Sequence, residues 1–133
     1  MADLTLAVRE AVVSKMIASA PLTALVPTDS IYGERVPDDR TYPFIRTGEQ
    51  TKIAFSLGCG AEDGAYELTI HGFVTGTDSD GAARVGAAIR ATFETGSLSH
   101  SGTKLGIIWR SGGLIRDPDE PDTWHAYEDF TVV

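Results

Sequence analysis

The sequence predicts an α+β domain: an antiparallel sheet of about four strands with two helices packed on one face, in the order α-β-β-α-β-β. Three observations carry this expectation. Apolar residues recur at three- and four-residue spacing near the amino terminus and again after residue 80, the period of a helix with one buried face. Alternating apolar and polar residues mark the stretches that precede and follow the second helix. Glycine-rich and acidic segments join consecutive strands, as hairpins between antiparallel neighbours do.

Asp3 is placed to cap a first helix starting at Leu4. Leu6, Val8, Val12, Val13, Met16 and Ile17 form its apolar arc. Arg9 falls inside that arc, so its stem either snorkels or the helix faces a partner as well as the core. Pro21 disfavours a helical Ala20 and ends the helix. Pro21 to Val26 reads as one short extra turn, stopped by Pro27. Ile31-Tyr32-Gly33 is a short apolar island, and Arg35 to Tyr42 reads as loop. A strand follows from Pro43 to Phe55, with proline at its first position, where a missing N–H is tolerated.

Ala65 to Thr75 is the clearest strand. Tyr66, Leu68, Ile70 and Val74 share one face, and Glu67, Thr69 and His71 share the other. Phe73 interrupts the polar face, which predicts cover on both sides at that end. Thr77-Asp78-Ser79-Asp80 starts the second helix, with acids in the first turn where the macrodipole favours them. Ala82, Val85, Ile89 and Phe93 form its buried stripe, and Gly86, Ala87 and Ala88 allow close approach to a sheet. Gly96 suits the helix terminus. Thr103 to Arg110 is a third strand, Ser111-Gly112-Gly113 a bulge or bend, and Leu114 to Arg116 its continuation. An acidic turn from Asp117 to Asp122 leads to the last strand, Trp124 to Val133, with Trp124, Ala126, Glu128, Phe130 and Val132 on one face. With no repeat, linker or low-complexity tract, residues 1–133 read as a single domain.

Composition removes several classes of function. The 133 residues carry 11 Lys and Arg against 19 Asp and Glu, a formal charge of −8. Such a balance argues against broad DNA gripping, which needs a positive face. At 42% apolar, the chain has enough hydrophobic residues for one core. Its longest apolar run is far short of the roughly 20 residues that span a bilayer, so no membrane partner is expected. Met1-Ala2-Asp3-Leu4 shows no basic region followed by an apolar core, and no signal peptide is expected. The single cysteine, Cys59, excludes an intrachain disulfide and fits a reducing cytoplasm.

Reaction chemistry finds little support. His71, His100 and His125 lack metal-site spacing, although His71 and His125 meet if their strands pair. The acidic run Asp117, Asp119, Glu120 and Asp122 holds two prolines and departs from a calcium loop. Neither Gly58-Cys59-Gly60 nor Ser111-Gly112-Gly113 matches a phosphate-binding loop, and no nucleophile elbow is present. No catalytic residue, metal or cofactor is therefore expected. The scattered aromatic residues lack the interleaved basic residues of a single-strand binding platform, and read as core and interface.

The ordered strings Pro21-Leu22-Thr23-Ala24-Leu25-Val26, Ile31-Tyr32-Gly33, Val36-Pro37 and Tyr42-Pro43-Phe44-Ile45-Arg46-Thr47-Gly48 carry a resemblance. So do Tyr66-Glu67-Leu68-Thr69-Ile70-His71-Gly72-Phe73, the small-residue helix and Arg116-Asp117-Pro118-Asp119. In that order they resemble the tail-terminator (tail-completion, head–tail joining) family of long-tailed, non-contractile phages and gene transfer agents, over nearly the whole chain. The resemblance implies a non-enzymatic virion protein. It implies a homo-oligomer, a six-membered ring on the head-proximal end of the tail tube. The ring stops tube growth and docks the head-side connector or stopper, with the tail-tube protein as its other partner. DNA then passes through the lumen without specific binding, and the protein is made in the bacterial host cytoplasm. Another neck protein (an adaptor or stopper), the tail-tube subunit, and a small hydrolase or ligand-binding α+β domain stay open as alternatives.

The segment Ser56, Leu57, Gly58, Cys59, Gly60, Ala61, Glu62, Asp63 and Gly64 is the candidate assembly-interface loop. Its three glycines and two acids are expected to be disordered in the isolated subunit and to order on docking between rings, unless it is an ordinary solvated turn.

Overall fold

The computed structural model describes residues 3–54 and 64–133. Helix α1 spans Thr5–Ile17 and the short α2 spans Ala20–Thr23. A 3-10 turn, Thr28–Ser30, leads into β1, Ile31–Tyr32. Then come β2 (Phe44–Ala54), β3 (Gly64–Thr75), α3 (Asp80–Thr92), β4 (Ser97–His100), β5 (Thr103–Arg116) and β6 (Thr123–Val132).

The α+β class is as expected, but the sheet is larger. Among the described residues it has six strands in the order β1-β2-β3-β6-β5-β4. All neighbours are antiparallel except β1, which runs parallel to β2 through Ile31 opposite Ile45 and Tyr32 opposite Arg46. The two added strands have two and four residues, too few for an alternating pattern to register. The tight turn before β5 has left-handed backbone at Ser101 and Gly102, which closes the β4–β5 hairpin. The extra turn after Pro21 is a true third helix, with proline in its first turn, where no N–H is needed.

The helix termini differ from expectation. Thr5 starts α1 and Leu4 occupies the cap position, while the Asp3 carboxylate accepts a hydrogen bond from the Thr5 N–H at 2.9 Å. That ion is also bound to Lys52 Nζ at 2.7 Å, and both contacts hold the Asp3 carboxyl well below its ordinary range. Helix α1 closes at Ile17, before Pro21 takes effect. Gly96 lies beyond the end of α3 with φ +74, and its N–H bonds to the Phe93 carbonyl at 3.0 Å.

One core lies between the helices and one face of the sheet. Val8, Val12 and Met16 of α1 and Val85, Ile89 and Phe93 of α3 meet Ile45, Leu68, Ile70, Phe130 and Val132. Phe93 and Phe130 pack edge to face, with centroids 5.1 Å apart. The expected inward faces of β3 and β6 are as read from sequence, because Leu68 stands opposite Phe130 and Tyr66 opposite Val132. Two members of the expected α1 arc do not join the core: Leu6 is 59% exposed and Ile17 41%. Arg9 snorkels, reaching Glu34 at 3.2 Å while its stem lies along Gly33.

Glycine sets how closely α3 sits. A β-carbon on Gly72 would lie 2.7 Å from Val85 Cγ1, and one on Gly86 would lie 3.3 Å from Ala126. The bulge expected near Ser111 exists, with a register shift between Trp109 and Ser111. A second bulge, between Thr47 and Gln50, was not anticipated. There a side chain on Gly48 would strike the His71 ring and the Thr69 carbonyl.

These burial differences give a direct test. Phe130→Ala is expected to cost about 3–5 kcal/mol of unfolding free energy, through lost transfer energy and a cavity. Leu6→Ser, at the exposed end of the arc, is expected to change stability by less than about 0.5 kcal/mol. Urea denaturation of the two variants measures both; equal losses would mean Leu6 is part of the core.

Candidate functional site

The helices cover one face of the sheet and leave the other bare of helix. Along the bare face the strand register brings together side chains that are far apart in sequence. Phe44 stands opposite Phe73, Phe73 opposite His125, and His71 opposite Tyr127. The rings form a row: Phe44 on Phe73 with centroids at 4.8 Å, and Phe73 on His125 at 4.4 Å, both stacked. His71 and His125 meet at 4.7 Å between centroids, with His71 Nδ1 2.6 Å from His125 Nε2. The expected meeting of these two histidines therefore occurs, and Phe73 is the residue that turns a polar face into a partly covered one.

Arginine caps the row. The Arg46 guanidinium lies 5.9 Å from the Phe73 ring centre, and Arg40 lies 5.5 Å from Phe44. Burial and then the Arg46 charge lower the His71 pKa to about 4, with a smaller contribution from His125, against an upward pull from Asp129. His125 is lowered by the same burial and the same arginine. At neutral pH both rings are uncharged, so one donates its N–H to the bare nitrogen of the other.

Below the histidine pair the face becomes polar. Thr69 Oγ1 donates to Asp129 at 2.5 Å, Ser111 Oγ donates to Asp129 at 2.8 Å, and Arg110 Nε donates to Thr131 at 3.1 Å. They line an open basin of about 670 Å³, along with Arg46, Glu49, Glu67 and His71. The basin mixes both signs of charge, and the Asp129 carboxylate accepts two hydroxyls, while His71 spends Nδ1 on His125. Among the described residues no group of three His, Cys, Asp or Glu converges on a metal position.

A second feature lies at the margin of the helix-covered face. Arg90 of α3 stacks 3.7 Å from the Trp109 ring centre, and Trp109 Nε1 donates to Glu128 at 3.4 Å. Burial raises the Glu128 pKa, while the Trp109 hydrogen bond and Arg90 oppose the rise. Gly112 and Gly113 give way to the Glu128 and Tyr127 side chains, which lie across β5 where side chains would otherwise stand.

Of the candidate assembly loop, residues 56–63 lie outside the described residues. Gly64 belongs to β3 rather than to a loop, paired with Ala54. Arg40 and Arg46 carry no sequence signal that marks them as caps on the aromatic row. Alternation alone places Phe44 and Arg46 on one face of β2, but not which strand lies beside it.

One face of the sheet is packed by helices, and the other carries the aromatic row and side chains hydrogen-bonded across strands. Residues 10–133 match the family described as Tail completion protein gp17, and the chain belongs to that family of structural phage tail-completion proteins. It is similar in fold to a chain in the virion of a native gene transfer agent particle, with TM-score 0.82 and 20% identity, covering 98% of this chain and 97% of that one. It is also similar to the gp17 protein of bacteriophage SPP1, with TM-score 0.62 and 18% identity, covering 96% and 88%. A search of curated protein sequences returns no match.

The histidine pair makes stability depend on pH. A lowered native pKa means that the unfolded chain binds protons first as pH falls. The His71 contribution is full above about pH 6.5 and is lost between there and about pH 4. His71→Gln is therefore expected to flatten the loss of thermal stability across that window. Melting curves of both proteins from pH 7 to pH 4 measure this; parallel curves would remove the pair from the pH response.

Proposed function

We propose that this chain caps the head-proximal end of a phage tail tube as a six-membered ring, stops tube growth and presents the docking surface for the head connector or stopper. The observation that carries this reading is the family match across residues 10–133. Fold likeness along nearly the full length of a chain in a gene transfer agent virion supports it. A ring uses a head-to-tail interface that joins two different patches of one subunit. The chain has two different sheet edges to supply them. In this reading the protein sits in the neck of the particle, between the tail-tube protein and the head.

The charge of −8 suits a ring whose lumen conducts DNA without holding it. The glycine-rich segment from Ser56 to Gly64 is the candidate contact between successive rings, on sequence grounds. Enzyme chemistry has no part in this role.

Electron microscopy of particles from a strain lacking this gene tests the reading. Filled heads lying apart from tails of uncontrolled length are expected. Headless tails of normal length would assign the chain to an adaptor or stopper role instead. Complete, normal particles would overturn the structural role. A second expectation concerns the lumen: reversing several lumen-facing acids to lysine slows DNA delivery, measured as infection or transfer rate. Unchanged delivery would detach the charge from DNA passage.

A further inference from the structure

The two ends of the sheet are only partly closed. Strand β4 pairs with β5 at Thr103 to Gly106, and the Gly96 carbonyl takes the Ile107 N–H. From Ile108 to Arg116, β5 has β6 on one side and, among the described residues, no strand on the other. At the opposite end, β1 covers Ile45 and Arg46 of β2, and the Gly33 carbonyl takes the Thr47 N–H. Beyond that point, among the described residues, β2 has β3 as its one strand neighbour.

The hydrogen-bond alternation shows which backbone groups face outward. The Asp117 N–H bonds to the Thr123 carbonyl across the β5–β6 pair. Counting back, Ile115, Gly113 and Ser111 address β6, so Gly112, Leu114 and Arg116 point their N–H and C=O away from the sheet. On the far side, the Gly76 N–H bonds to the Asp122 carbonyl. That phase makes Leu68 and Tyr66 address β6, so their β2 partners Gln50 and Lys52 point outward.

The open part of β5 carries a bulge beside Ser111 and two arginines, yet it also turns apolar side chains to solvent. Ile108, Leu114 and Ile115 are 48%, 44% and 48% exposed. Leu114 stands opposite Ala126 on the helix side and Ile115 opposite His125 on the bare side, so apolar surface is exposed on both faces of one strand. Between Thr103 and Arg116 the charged residues are Lys104, Arg110 and Arg116, with no acid, in a chain of net charge −8. The same chain carries a second open edge on β2, so another copy of itself can supply the missing neighbour.

We infer that the outward edge of β5 adds to the outward edge of β2 from a second copy, extending the sheet across the contact. Orientation agrees. Strands β2 and β6 run one way and β3 and β5 the other. Rotation about an axis along the strands preserves direction, so β5 of one copy meets β2 of the next in antiparallel fashion. The contact is heterologous and leaves one of each edge available for the next subunit. It rests on the ring in the proposed function and names the surfaces that join its members.

Hydrogen exchange on the full chain at rising concentration tests this. Among the described residues the amides of Gly112, Leu114 and Arg116 have no backbone partner, so they are expected to exchange fast in dilute protein. On association they are expected to slow at least about tenfold, while amides addressed to β6 stay protected throughout. Leu114→Pro removes one outward N–H and leaves the β5–β6 ladder intact, so it is expected to retain its melting transition and weaken association at least about tenfold by sedimentation. Leu114→Ala, which keeps the N–H, is expected to weaken it less. A wild-type chain that stays monomeric at all concentrations, association that leaves these amides unprotected, or a folded Leu114→Pro chain that associates like wild type would each overturn the edge pairing. If Leu114→Pro fails to fold, the wild-type amide protection decides alone. Particle microscopy of the gene deletion is independent of all these outcomes, so the tail role and the edge pairing fail separately.

Discussion

Helix α3 reaches the sheet through two glycines, and much of the architecture depends on that contact. Val85 occupies the space above Gly72 on β3, and Gly86 lies over Ala126 on β6. With the side chains removed at both points, the helix settles directly on the central strand pair. Ile89 and Phe93 then reach Ile70 and Phe130, and α1 closes the remaining side with Val8, Val12 and Met16. Dispersion and burial are strongest at such close approach, because protein interiors tolerate few gaps. The contact also commits both long helices to one face, which leaves the other face and both edges for other duties.

The bare face is organised by a different balance. Rings from three strands stack into one row, and arginines lie over two of them. This shields enough surface to keep two histidines neutral, yet leaves their outer atoms accessible. The neighbouring carboxylate is satisfied by hydroxyls from two adjacent strands. Polar groups that bond to one another across strands stiffen a surface.

Assembly then becomes a question of edges. Four of the six strands are long, and the two short ones close only parts of β2 and β5. The glycines at 112 and 113 leave room for the Glu128 and Tyr127 side chains to lie across β5. The edge itself offers backbone groups, which lie in the plane of the sheet. Membership of the tail-completion family makes the chain a structural phage protein.

The inward faces of β3 and β6, the buried stripe of α3 and the small residues beneath it were all legible in the sequence. Each depends on a period within one segment, and a single buried face suffices to impose it. The bulge beside Ser111 was legible for a similar reason, since paired glycines break alternation locally. The strand order was not legible, nor were β1 and β4, because pairing joins residues distant in sequence and strands of two or four residues carry no period. Leu6 read as core because helical spacing gives an angle but not the extent of the surface that covers it. The two histidines illustrate the division most clearly. Their positions on alternating strands allowed them to meet, but only the register of β3 against β6 brought them within hydrogen-bonding distance. Local patterning decided what each segment buries, and long-range hydrogen bonding between strands decided which surfaces were left to face other molecules.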